Sequence, residues 1–162
     1  MRPLRFLLAL LLCCPLVASA AERPTLAATR VAGALRIDGA LDDSAWAAAP
    51  AVSAFLVTGA REGQAPGEST IVKVLYDNTR VVFGIWCSSR RPMRASLTPR
   101  DQITDGDHIS MHLDTDGDGQ RAYVFGVNPY GVQLDGILTG DVDFKWDGVW
   151  EAEAQRGADA WT

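Results

Sequence analysis

The sequence predicts an all-β fold: an antiparallel β-sandwich of jelly-roll character with one short helix. Short apolar runs follow one another at close spacing, turn-forming residues separate them, and no stretch carries sustained helical periodicity. Residues 31–37 read as a first strand and residues 52–57 as a second. Residues 70–76 form a third, with Ile71, Val72, Val74 and Tyr76 as its apolar positions, and residues 81–87 a fourth. Between these two, Asp77-Asn78-Thr79-Arg80 reads as a tight hairpin turn, because Asp and Asn side chains bond to their own backbone. Residues 108–113, 121–127, 132–138 and 149–154 complete a series of eight, which suits two facing sheets. One helical piece interrupts them: Asp42 is placed as the N-cap of a short helix that carries Trp46 and runs to Ala49, where Pro50 stops it. Trp46 is then expected to plug one end of the sandwich. Residues 62–69, containing Gly63, Pro66 and Gly67, read as a mobile loop within one domain.

The start of the chain addresses its compartment. Residues 1–20 place Arg2 and Arg5 before an apolar stretch at 6–17 and end on Ala18-Ser19-Ala20, the three parts of a secretory signal. Export to the periplasm, the outer membrane or the medium is therefore expected, with residues 21–162 as the mature domain. Losing Arg2 and Arg5 takes the formal charge from −5 to −7, which argues against nucleic acid as a partner. Cys13 and Cys14 go with the signal. The remaining Cys87 can form no intrachain disulfide and reads as a small buried apolar residue, so the core must supply the stability.

Several blocks, in order, carry a resemblance. Ile37-Asp38-Gly39 is followed by Leu41-Asp42-Asp43 and Trp46. The strand–turn–strand unit at 72–86 comes next, and then Asp107-His108-Ile109-Ser110-Met111-His112-Leu113-Asp114. Phe125-Gly126-Val127-Asn128 and Val149-Trp150-Glu151-Ala152 follow. Together they resemble the family 9 carbohydrate-binding modules, the type associated with endoxylanases. Tyr123-Val124-Phe125-Gly126-Val127-Asn128-Pro129, Asp135-Gly136 and Trp146-Asp147-Gly148-Val149-Trp150-Glu151 are similar to a variant at the N-terminus of large exported bacterial proteins, whose C-terminal domain is uncharacterised and of β-barrel character. The resemblance implies that the module continues past Thr162, so the chain is expected to be truncated within it.

The resemblance also implies a sugar held between two tryptophans, but this chain departs from that pattern. Thr104 stands where the family places one stacking tryptophan, and Gly126 where it places a hydroxyl-binding arginine. Substitutes must come from the residues themselves. Trp146 and Trp150 flank the end of a glycine-bounded loop, and Tyr130 sits in the turn Asn128-Pro129-Tyr130-Gly131, so these three are the candidate carbohydrate-binding residues. Core burial competes for both tryptophans, and for Trp86 on its apolar strand. Asp114-Thr115-Asp116-Gly117-Asp118-Gly119 repeats the first half of an EF-hand loop, making Asp114, Asp116 and Asp118 candidate ligands for a structural calcium ion. Phe125 occupies the twelfth position, where that loop needs a bidentate Glu, so an acidic hairpin turn competes with the metal site. His108 and His112 share a strand face by parity and read as a solvated pair.

No catalytic residues stand out. Asp101, Asp105, Asp107, Asp141, Asp143, Asp147, Glu151 and Glu153 can be paired in many ways without a spacing that selects a glycosidase pair, and no nucleophile elbow, phosphate loop or zinc motif is present. Three functions stay open. The first is a non-catalytic module that binds polysaccharide or oligosaccharide, in the service of polysaccharide breakdown. The second is a structural module that plugs or packs on a downstream barrel domain of the same polypeptide. The third is an accessory domain of a glycoside hydrolase whose catalytic part follows.

Overall fold

The computed structural model describes residues 25–162, apart from Ala34 and Thr104. The signal segment at 1–20 and the Thr104 substitution lie outside the described residues. Among the described residues the fold is all-β, two four-stranded sheets with one short α-helix and a 3-10 turn at Gly59–Arg61. The first sheet has the order β1-β2-β3-β8, from Thr29–Arg30, Thr70–Tyr76, Val81–Ser88 and Ala160–Trp161. The second has the order β4-β5-β6-β7, from Ile109–Leu113, Ala122–Val127, Gln133–Leu138 and Val142–Asp143. The β2–β3 hairpin, read directly from the apolar pattern, is in register from Thr70↔Cys87 to Tyr76↔Val81. Its turn is built as expected: the Asp77 carboxylate accepts from the Thr79 N–H, the Thr79 hydroxyl and the Arg80 N–H.

Pleat alternation gives β3 two unlike faces. On one, Gly84 lies against Trp46, whose ring would meet a Cβ there at 2.6 Å, so only glycine lets the indole approach the strand this closely. Trp46 is 3% exposed and joins Leu35, Ala49 and Leu75 in a buried cluster. On the other face, Phe83 and Ile85 look across a cavity of about 480 Å³ toward Ile109, Met111 and Phe125 of the second sheet.

Several expectations need correction. The described residues of 31–37 carry no strand: pairing is confined to Thr29–Arg30, parallel to β2, plus a bond from the Val31 N–H to the Tyr76 carbonyl. Tyr76 ends β2, so Val31 is the last residue of this segment that β2 holds. Because β1 is parallel, the first sheet is mixed and not wholly antiparallel. Residues 52–57 reduce to one bridge, Val52↔Val72, after which Val57 closes a loop on Gly63 and Gln64. Residues 149–154 alternate between half-buried and exposed as a strand does, but carry no ladder. The short strands β7 and β8 were not anticipated. The helix is α1, Ser44–Ala48, and its N-cap is Asp43. Asp42 pairs with Arg36 instead, at 3.1 Å. Ala49 is extended, as the residue before a proline prefers. Trp46 covers a sheet face and does not plug an end of the sandwich. The loop at 62–69 is tied down at its far end, where the Glu68 carboxylate accepts from the Ser88 hydroxyl and the Arg90 N–H.

The bonds from Thr79 and Arg80 hold the Asp77 carboxyl down at about 2, below its ordinary 3.8. A carboxylate with a depressed folded pKa stabilises the fold above its unfolded value and loses that contribution as pH falls through the folded one. The melting temperature is therefore expected to fall as pH drops from about 4 toward 2. An Asp77→Asn variant should show a shallower fall across that window in a calorimetric pH series.

Candidate functional site

The most constrained group in the molecule is a carboxylate in a strand. Asp135 lies in β6 opposite Phe125, on the face turned toward the other sheet, and is fully buried. An ionised carboxyl there must be paired and hydrogen-bonded, since burying a lone charge costs several kcal/mol or more. Its partners converge from two loops. Arg100 donates from Nη2, Gly148 donates its backbone N–H, and Trp150 donates from Nε1 at 3.3 Å. The Asp135 N–H donates to the Asp101 carboxylate at 3.0 Å.

Arg100 is the hub. Its Nη1 donates to Gln133 Oε1 at 2.8 Å, and its Nη2 also reaches the Gly148 carbonyl at 3.0 Å and the Asp147 carboxylate at 3.2 Å. Its Nε lies 3.7 Å from the Asp101 carboxylate, an ion pair without a hydrogen bond. Asp101 has φ of +62°, the left-handed region that non-glycine residues rarely adopt, and this turns its carboxylate back toward β6. Gln133 completes the ring by donating to the Trp150 carbonyl at 3.2 Å. Asp147 keeps most of its side chain in water, at 79% exposure, so the network runs from a buried anion to an exposed one through a single guanidinium.

The same backbone places an aromatic strip. Trp146 packs on Tyr123 at 5.1 Å between ring centroids and on the edge of Phe125 at 6.0 Å, and Trp150 meets Phe125 at 5.1 Å in a T-shaped contact. Arg121 extends the strip, its guanidinium 5.0 Å from the Tyr123 ring centre. Gly148 joins strip and network: both its N–H and its carbonyl are tied to the charged pair, and a Cβ on it would lie 2.5 Å from the Trp146 ring. Trp146 and Trp150 are thus brought together through Phe125, both half-buried.

The remaining sequence candidates lie elsewhere. Tyr130 is 43% exposed, and Arg156 sits 3.9 Å over its ring, covering one face with a cation. It occupies the β5–β6 turn, whereas Asp114, Asp116 and Asp118 occupy the β4–β5 turn at the opposite end of β5, about 20 Å of strand away. That acidic turn closes on itself: the Asp114 carboxylate accepts from the N–H groups of Asp116, Gly117 and Gly119, which holds its pKa below the ordinary value. A cation there would have to displace these bonds. Among the described residues, no group of three or more His, Cys, Asp or Glu side chains is arranged to hold a metal ion. His108 bonds to the Gly106 carbonyl and His112 to the Ser110 hydroxyl, both exposed. Cys87 is half-buried beside the Thr70 hydroxyl, and desolvation raises its thiol pKa, the condition of an unreactive side chain. Trp86, also half-buried, shares the Gly84 face of β3.

Arg100, Asp135 and Gln133 were not singled out by sequence reasoning. The sequence pattern hides Asp135, which shares strand parity with Gln133, on the face opposite Val132 and Leu134, and so reads as solvent-facing. No family model, curated protein or solved structure matches the chain.

Removing one partner of a buried ion pair strands the other charge, at a cost of about 3–5 kcal/mol. Asp135→Ala is expected to lose stability of that order in urea denaturation. Asp147→Ala, at the exposed end of the network, should cost less than about 1 kcal/mol.

Proposed function

We propose that this chain is a non-catalytic carbohydrate-binding module of an exported protein, resembling the family 9 modules, and that its sugar platform is the Trp146 shoulder. The observation that carries the reading is the adjacency of a half-buried indole to a water-facing carboxylate and a guanidinium, Asp147 and Arg100, held by a buried anion. An indole offers a flat apolar surface to the C–H face of a pyranose, and carboxylate and guanidinium groups bond the hydroxyls around its rim. Arg100 is already fixed by Asp135, Gln133 and Gly148, so ordering it on binding costs little conformational entropy. Tyr130 does not join this platform, because its ring is engaged with Arg156 on a separate turn.

The test is calorimetric titration of the domain with xylan, cellulose and short xylo- and cello-oligosaccharides. Saturable heats are expected with at least one glycan. Trp146→Ala should abolish them, and Asp147→Asn should weaken binding about tenfold, the equivalent of one lost charge-assisted hydrogen bond. Flat heats for every glycan with the unaltered domain would reject the reading.

A further inference from the structure

The surroundings of the Trp146 platform are unequal in charge. Arg100 faces three carboxylates, Asp101, Asp135 and Asp147, and is the one cation paired with any of them among the described residues. Asp143 adds a fourth. It stands opposite Ile137, which stands opposite Tyr123, so it shares the sheet face that carries the aromatic strip, and it is exposed. The one cation in the chain between Asp143 and Asp147 is Lys145, also exposed. In this corner of the fold, four carboxylates are set against two cations.

Hydrogen-bond capacity is as lopsided as charge. Arg100 commits both Nη2 hydrogens, to Asp135 and to the Gly148 carbonyl, and one Nη1 hydrogen to Gln133, while its Nε is buried. Asp135 accepts from Arg100, Gly148 and Trp150, Asp101 from the Asp135 N–H, and Asp143 from the Lys145 N–H. Asp147 differs. It is largely exposed, and among the described residues no N–H or O–H donates a hydrogen bond to it, the Arg100 contact at 3.2 Å being an ion pair alone. Gly148 ties this open carboxylate to the indole: the Trp146 ring edge packs against it, and its carbonyl holds the same Nη2 that meets Asp147. What the rim offers a ligand is therefore an acceptor with free lone pairs, beside a cation whose donors are mostly engaged.

We infer that the platform selects an amino sugar: a pyranose that stacks on Trp146 and turns a protonated amine toward Asp147. This inference rests on the sugar-platform reading above and gives it a substrate class. When a pyranose lays its C–H face on an indole, its equatorial substituents point outward along the rim, where an open carboxylate takes a charged donor in preference to a hydroxyl. An ammonium beside the ring also gains cation–π attraction. An N-acetylated amine is neutral and gains neither, so the site distinguishes free from acetylated hexosamines. A uronic acid brings its carboxylate among anions already in excess and is disfavoured. Arg121 does not reverse this order, because its guanidinium lies over the Tyr123 ring and its Nη2 donates to the Tyr123 hydroxyl at 2.9 Å, capping the far end of the strip. Neither Trp146 nor Asp147 lines the cavity between the sheets, so the selectivity does not depend on how that cavity is filled.

The experiment is calorimetric titration of the chain with short β-linked oligomers of glucosamine, N-acetylglucosamine and glucose, equal in length, at low ionic strength and at a mildly acidic pH where the amine is protonated. The glucosamine oligomer is expected to bind at least about threefold more tightly than either neutral one, with the margin shrinking in high salt. Asp147→Asn should bring all of them within about twofold of one another. Asp116→Asn, on the distant β4–β5 turn, should keep the margin, which separates a placed carboxylate from the general pull of an acidic domain on a cation. A margin that survives Asp147→Asn, or one that Asp116→Asn removes equally, would overturn the inference. Neutral oligomers that bind as well as the glucosamine oligomer would leave the carbohydrate reading standing and reject the selectivity alone. Flat heats with every oligomer would reject both.

Discussion

The structure turns on one buried charge. Asp135 is a carboxylate set in a strand, facing the apolar space between two sheets, and nothing about a sandwich core favours it there. It is tolerated because the chain brings a guanidinium, a backbone N–H and an indole N–H to its two oxygens. Those donors come from segments of little regular structure, residues 99–101 and 146–150. A neutral residue at this position would leave both segments without a shared anchor. The carboxylate thus orders the parts of the fold that the ladders do not reach, and the aromatic strip inherits its position from it. Whether such a pair stabilises the fold against an apolar replacement is a separate matter, since desolvation offsets much of the attraction. What it does supply is a unique placement for Trp146, Gly148 and Trp150.

A second constraint is the obligation of every backbone N–H and C=O to find a partner. It explains the asymmetry of the first sheet. Along β2 and the near side of β3 the obligation is met in full register. On the far side of β3 it is met only where β8 arrives, and the remaining groups face a cavity walled by apolar side chains. Sheets tolerate bare edges when these are short, charged or twisted away. Here the unpaired stretch lines a hollow between the two sheets.

Much of the fold was legible in the sequence because its clearest strands are also its best paired. Residues 70–76 and 81–87 are apolar runs that flank an Asp-Asn turn and form the longest ladder. The expected strands at 108–113, 121–127 and 132–138 each begin one residue before the observed ones. The failures at 31–37, 52–57 and 149–154 share a cause: alternation reports which side of the chain meets apolar surface, while a strand also needs a neighbour. Leu35 is buried, Val52 and Val57 are half-buried, and 149–154 half-buries alternate residues, but only isolated bonds reach a partner. The site was less legible. Trp146 and Trp150 were found by type, and Tyr130 by its turn, but their grouping depends on Phe125 and Gly148, whose roles are invisible in a local window. Asp135 enters the sequence reading only within the Asp135-Gly136 block, because it shares strand parity with Gln133 and not with Val132 and Leu134, the pattern of a solvent-facing position, and here it is the organising group. The Asp114 turn showed the opposite failure. Its spacing matched a cation loop, but the carboxylate that opens it is spent on its own backbone amides.

The claim that Asp135 anchors the 146–150 segment is tested most directly by the indole resonance of Trp150. In a proton–nitrogen correlation spectrum of the labelled chain, the Trp150 Nε1–H should exchange slowly with water. In Asp135→Asn it should shift and exchange faster, together with the Gly148 amide. A Trp150 indole proton that exchanges at the free-solvent rate in the unaltered protein, or that is indifferent to Asp135→Asn, would contradict the account.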